Sequence, residues 1–201
     1  MLSVINQIEK QLISMGKNRI IFPSDFNSIS NTEAVKKALL RLEQKKVLVR
    51  LTHGIYLYPK KDKELGILYP PVEEIAKAIA KRDKARIIPT GVQALNKLGL
   101  STQIPMNVVF LTDGAPRSIK VGKRTIKFKK TTPKNLACKN EVCELVIQAL
   151  REIGKDNITP QQLKLIKQAL KNEKAELLAH DVQLAPAWIA KIILSMNSIN
   201  Q

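Results

Sequence analysis

Residues 30–59 read SNTEAVKKALLRLEQKKVLVRLTHGIYLYP, and this stretch decides the fold. Ser30 with Glu33 three residues on has the pattern of a capping box, in which each side chain satisfies an orphan backbone N–H at a helix start. Val35, Ala38, Leu39 and Leu42 follow at helical spacing on one face. Lys36, Lys37, Arg41 and Gln44 are left on faces turned away from a core. The spacing predicts a helix ending near Lys45 and Lys46, where cations suit the negative end of the helix dipole. Residues 47–52 and 55–58 then alternate apolar and polar, with His53-Gly54 between them as a two-residue turn. Gly54 can take the positive φ such a turn needs, and His53 tolerates it better than most residues. A basic helix running straight into a β-hairpin is the second half of a winged helix-turn-helix.

The sequence upstream supplies the first half. Residues 2–16 form an amphipathic helix with Val4, Ile5, Ile8, Leu12 and Met15 in one stripe and Gly16 at its end. Residues 18–22 read as a short strand beside the hairpin, and Pro23 opens a segment with room for two helical turns. Downstream, the charged stretch 60–70 (KKDKELGILYP) reads as a seam between domains. Pro70-Pro71-Val72-Glu73-Glu74 starts another helix, with Ile75, Ala76 and Ile79 as its stripe. Residues 86–88 form a short strand broken by Pro89, and Gly91 to Leu98 a brief helix. NVVFL at 107–111 is a buried-type strand stopped by Thr112-Asp113-Gly114. Residues 117–121 and 125–129 alternate on either side of Gly122-Lys123, a hairpin with Ile119, Val121, Ile126 and Phe128 inward and Lys120, Lys127 and Lys129 outward. From Pro133 the chain reads as helical, with helices at 141–153, from 159–160 onward, and at 186–196. The fold class is therefore α+β: a winged helix-turn-helix at 1–62 and an α+β domain with a small sheet and several helices at 65–201.

Charge narrows the partners. The chain of 201 residues carries a net +17. Residues 1–64 hold 12 Lys/Arg against 6 Asp/Glu (net +6), residues 65–134 hold 14 against 4 (net +10), and residues 135–201 hold 8 against 7 (net +1). An excess concentrated in this way points to a polyanion-binding surface, since neutralised phosphates release condensed counterions. Aromatics make up only 4%, too few for a single-strand stacking platform. No signal peptide or span of roughly 18 apolar residues is present, so a cytoplasmic protein with no membrane partner is expected. Cys138 and Cys143 have no partners at zinc-finger spacing and read as reduced, packed residues.

Catalytic patterns do not assemble. Asp113 follows a strand, but the hairpin after it has no acid, so a two-metal nuclease centre lacks ligands. His180-Asp181 is only an adjacent pair, and there is no GxSxG, P-loop or GxGxxG. Neither a catalytic residue nor a metal or cofactor is expected, and Asp83 reads as a local charge balance between Arg82 and Lys84.

Three stretches together resemble the AbiEi-type antitoxins of type IV toxin–antitoxin systems: VKKALLRLEQKKVLVRLTHGIYLYP, IAKAIAKRDKARIIPTGVQALNKLGLSTQIP and VVFLTDGAPRSIKVGKRTIKFK. The similarity runs from about residue 22 to residue 155 and is carried mainly by the second and third stretches. It implies a prokaryotic DNA-binding repressor of its own operon, acting on inverted repeats. It also implies neutralisation of a nucleotidyltransferase toxin without a stable complex. On the winged-helix pattern, Thr32, Lys36, Lys37 and Arg41 lie on the recognition helix and Arg50, Thr52 and His53 on the wing. Thr32 and Lys36 are the candidates for base edges, Arg41 and Arg50 for phosphates. Arg117, Lys120, Lys123, Arg124, Lys127 and Lys129 are candidates for further phosphate contacts, with sheet-edge protection as the competing role. The partner is then double-stranded operator DNA, with room for a dimer on it. A solitary winged-helix regulator and a structured-RNA-binding protein are the alternatives, the latter without an RRM or KH signature.

Overall fold

The computed structural model describes residues 2–103 and 105–197. The chain is α+β and divides into two compact units, residues 1–79 with 119–123, and residues 80–118 with 124–201. The division falls inside a helix at 79/80, whereas the sequence placed the boundary at 62–65. The expected seam at 60–70 is itself ordered. It forms a two-stranded hairpin whose turn is held by the Asp62 carboxylate, which accepts the N–H groups of Glu64 and Leu65 at 2.9 and 3.0 Å.

In the first unit the order is α1 (Val4–Met15), β1 (Arg19–Ile21), a single 3-10 turn (Pro23–Phe26), α2 (Thr32–Gln44), β2 (Val49–Thr52), β3 (Ile55–Tyr58), β4 (Lys60–Asp62), β5 (Gly66–Leu68) and the first two turns of α3 (Val72–Asp83). The segment after Pro23 thus spends one turn where two were expected, because Asp25 folds back to accept the Phe22 N–H at 2.8 Å. β1, β3 and β2 form an antiparallel sheet in that order, with Arg19 opposite Tyr58 and Val49 opposite Leu57. Residues 47–48, expected as strand, instead turn the chain out of α2, since the N–H groups of Val47 and Leu48 both go to the Leu42 carbonyl. The core beneath the sheet joins Ile8 and Leu12 of α1 to Ile21, Phe26, Leu48, Tyr56 and the inner stripe of α2.

The second unit contains β6 (Ile87–Pro89), α4 (Val92–Lys97), β7 (Asn107–Thr112), β8 (Arg117–Val121), β9 (Arg124–Lys130), α5 (Glu141–Ile153), α6 (Pro160–Leu170), α7 (Ala175–Val182) and α8 (Ala187–Asn197), with the tip of the β8–β9 hairpin assigned to the first unit. The sheet order is β6-β7-β9-β8; β6 runs antiparallel and β9 parallel to β7. Phe110 and Phe128 stack on its inner face with centroids 6.0 Å apart. The Thr112-Asp113-Gly114 stop is a structural joint. Thr112 Oγ1 donates to the Arg86 carbonyl at 2.8 Å, and Asp113 accepts the Arg86 N–H at 2.8 Å while pairing with its side chain at 3.2 Å. Gly114 is required here because a Cβ would stand 2.8 Å from that of Ala85. α7, which sequence reading missed, completes the helical core with Leu178 and Val182.

α5 is the hub of that core. Its N-cap Asn140 accepts the Cys143 N–H at 2.7 Å, and the wholly buried Asp181 accepts the N–H groups of Lys139 and Asn140. Both cysteines are free, and burial followed by the charge of Asp181 pushes each thiol up to about 12. Burial, then Asp181 and Glu141, push the Glu144 carboxyl up to about 7, with Arg86 acting in the opposite sense. The folded protein therefore binds this proton more tightly than the unfolded chain, and stability drains away as pH rises from about 4.5 toward about 7. Glu144→Gln removes the effect. In urea titrations the variant should gain stability over the parent as pH is raised through that window, and a constant difference from pH 4 to pH 8 would refute the assignment.

Candidate nucleic-acid interface

The inner stripe fixes α2 in rotation. Val35, Leu39 and Leu42 are at 0% exposure and Ala38 at 3%. Each of the three larger chains contributes about 1.5–3 kcal/mol on full burial, so rolling the helix is not an available motion. Its opposite face is held in solvent, presenting Thr32, Lys36, Lys37, Leu40, Arg41 and Gln44. Leu40, 43% exposed, is an apolar group on this basic face that the sequence reading did not single out.

The helix begins one residue later than expected. Asn31 is its N-cap, accepting the Ala34 N–H at 2.9 Å, and the Ser30–Glu33 box does not form. Both residues are competent caps, and the packing of Val35 inward selects the later one. Glu33 is consequently free to pair with Lys36 at 3.0 Å, and this bond holds the Glu33 carboxyl below its ordinary value. Lys36, a candidate for reading bases, is thus engaged by an exposed, easily exchanged ion pair. At the other end Lys46 takes φ +58, and Lys61 of β4 donates to its carbonyl at 3.1 Å.

In the β2–β3 turn only Gly54 has positive φ, at +68; His53 does not share that conformation as the sequence suggested. The reason is a register shift between Arg50 and Thr52, which absorbs the twist before the turn. Arg50 donates to His53 Nδ1 at 3.2 Å, which leaves the neutral ring's proton on Nε2. Both side chains are exposed and Thr52 is half-buried. The phenol of Tyr56 is raised by burial, with Arg50 opposing and Glu43 adding to the shift, so all three groups lie within electrostatic range. Glu43 Oε2 is buried and has no hydrogen-bond partner among the described residues. That acid was invisible to a reading based on helix faces.

The six candidate cations of the β8–β9 hairpin separate into two kinds. Arg117 bonds Asp83, which also accepts from Arg82 Nε at 2.7 Å, and at 25% exposure it is not a free phosphate ligand. Asp83 balances local charge, as its neighbours suggested, with Arg117 as an additional partner. Lys120, Lys123, Arg124, Lys127 and Lys129 are exposed. Because β9 lies between β7 and β8, edge protection accounts for Lys120 but not for Lys127 or Lys129. Among the described residues no group of three or more His, Cys, Asp or Glu is placed to hold a metal ion, and no helix is long and apolar enough to cross a membrane.

Residues 7–178 match a family described as a family of unknown function, DUF6088. The chain belongs to this family. No curated protein matches it. Among solved structures it is similar to the RV2827C protein from Mycobacterium tuberculosis, known from a crystal structure, at 13% identity and a TM-score of 0.50 over 96% of this chain and 75% of that one. At that identity the likeness speaks to the fold alone. Within this DUF6088 fold, the cap of α2 gives a direct check on the first unit. Asn31→Ala should lower stability by about 1 kcal/mol in chemical denaturation, while Ser30→Ala should change it by less than about 0.5 kcal/mol. Equal losses in the two variants would contradict the assigned cap.

Proposed function

We propose that the chain is a cytoplasmic transcriptional repressor that binds duplex DNA through an N-terminal winged helix, with α2 as recognition helix and the β2–β3 hairpin as wing. The observation that carries this reading is the rotationally locked α2, which holds Lys37 and Arg41 in solvent opposite a fully buried stripe and leads directly into the hairpin bearing Arg50 and His53. A helix of this width enters a major groove, and Leu40 supplies an apolar contact of the kind a thymine methyl accepts. Arg41 and Arg50 meet phosphates; Thr32 and, after exchange of Glu33, Lys36 meet base edges. The exposed hairpin cations other than Arg117 add nonspecific phosphate affinity, and two copies of the chain on an inverted repeat match the two-fold symmetry of such a site.

Operator binding is testable by fluorescence anisotropy with a duplex from the chain's own promoter. The double variant Lys37→Ala, Arg41→Ala should keep the parent melting temperature, bind more weakly on every sequence, and lower the slope of log affinity against log salt by about 2. Unchanged affinity would sink the recognition-helix assignment. Tighter binding to a structured RNA of equal length would favour the RNA reading.

The resemblance to AbiEi-type antitoxins extends the proposal to toxin neutralisation, with the second unit as its carrier and a nucleotidyltransferase as the functional partner. Co-expression with a neighbouring nucleotidyltransferase gene should restore growth, and the DNA-binding double variant should restore it equally. Persistent arrest with the parent chain would leave a solitary regulator.

A further inference from the structure

β7 and β9 lie side by side in parallel, pairing Val109 with Lys127 and Leu111 with Lys129. Val108, Phe110, Ile126 and Phe128 are buried, so strand alternation sends Val109, Leu111, Lys127 and Lys129 to the opposite face. That face is not bare. Val109, Leu111 and Lys129 wall a cleft of about 420 Å³ whose other side is built from Gly91 and from Gln148 and Glu152 of α5.

Three features of this cleft call for a ligand. Gln148 is only 6% exposed, yet its amide makes no hydrogen bond with any described residue and opens onto the cleft. A largely buried amide without a protein partner must take its hydrogen bonds from whatever occupies the cleft, water or a ligand. Lys129 and Glu152 bring opposite charges to the same cleft, and neither is ion-paired among the described residues. Finally, Gly91 has φ +57, and a Cβ there would stand 3.1 Å from Glu152 Oε2, so the missing side chain is what admits the carboxylate.

We propose that the cleft binds a free α-amino acid. Lys129 takes its carboxylate, Glu152 takes its ammonium, and its side chain lies on Val109 and Leu111 with a hydrogen-bonding end on Gln148. The balance of one cation and one anion selects a zwitterion. A phosphorylated ligand would meet the repulsion of Glu152, and a wholly apolar one would displace water from the Gln148 amide without replacing its hydrogen bonds. The volume is at the lower end of the range for small-molecule sites, which suits a ligand of this size. The site shares Lys129 with the proposed phosphate contacts but no group of α2 or the β2–β3 hairpin, so a test without DNA separates it from the DNA-binding reading.

Isothermal titration calorimetry of the full chain, run without DNA, decides the matter. The probes are the twenty L-amino acids, adenosine, guanosine and their 5′-monophosphates. One or a few amino acids with a polar side-chain end should bind. Lys129→Met and Glu152→Gln should each weaken that binding by about tenfold or more with the melting temperature retained, since both side chains are exposed. Gln148→Leu should abolish the preference for a polar side-chain end. Absence of binding by all twenty amino acids, indifference to the Lys129 and Glu152 substitutions, or binding of the nucleosides or nucleotides instead would overturn the proposal.

Discussion

The second unit depends on a single carboxylate with no exposure to solvent. Asp181 of α7 accepts the N–H of Lys139 at 2.9 Å, the N–H of Asn140 at 2.8 Å and the Nδ1 of His180 at 2.8 Å. A buried charge is tolerable only when its lone pairs are filled in this way, and removing the donors would leave a penalty of several kcal/mol. The same bonds pin α7 against the start of α5, some forty residues earlier in the chain. α5 then serves α4, α6, α7 and α8 as their common neighbour, so its N-terminus sets the register of the whole helical core. The electrostatic consequences spread from the same point. Asp181 contributes to the raised proton affinity of Glu144, Cys138 and Cys143, which makes both thiols poor nucleophiles and assigns them to packing.

In the first unit the corresponding constraint is apolar rather than ionic. The stripe of α2 is locked against α1, the 3-10 turn and Tyr56, and Lys46, two residues past the helix end, is bound to the β4–β5 hairpin through Lys61. Lys46 accepts a left-handed backbone at that junction, at a cost of roughly 1 kcal/mol for a residue with a Cβ. The return is a sharp exit that turns the chain from α2 into the β2–β3 hairpin within four residues, Lys45 to Leu48. Rigid support under an exposed basic face is what allows cations to be presented in one geometry. The same lysines on a frayed helix would carry equal charge and little selectivity.

Elements whose evidence is local were legible in the sequence. The periodicity of α1, α2, α5 and α6, the alternation of the β8–β9 hairpin and the glycine that ends α5 all survive in the structure, whereas β3 forms as a strand buried at Ile55, Tyr56 and Leu57 in succession and not in alternation. What escaped was decided by partners far away or by competition between equals. Ser30 and Asn31 cap equally well in isolation, and only the inward packing of Val35 separates them. β4 reads as linker because its three residues, Lys60, Lys61 and Asp62, are all exposed and bury no apolar group. α7 has no side-chain cap at Lys174 and spans only eight residues, too little for a periodic signal. His180-Asp181 looks like an idle pair until Lys139 and Asn140 are brought to it. The candidate DNA-binding side chains were legible as a face of α2, but the engagement of Lys36 by Glu33, of Arg50 by His53 and of Arg117 by Asp83 needed coordinates.

The distribution of charge gives these separate devices a common logic. Residues 135–201, at net +1, hold the acids that crowd around the start of α5, where an unbalanced excess of either sign would be hard to bury. Residues 65–134, at net +10, place Lys127 and Lys129 on one face of an internal strand, two residues apart. Like charges at that spacing repel, and the interior of a sheet gives them no edge to protect. Solubility alone could be served by moving either lysine to a loop. On the two proposals above, anionic groups brought to that face from outside would relieve this repulsion, a nucleic-acid phosphate at Lys127 and a smaller carboxylate in the cleft beside Lys129. The strand would then tolerate its own repulsion because its partners are not part of the chain.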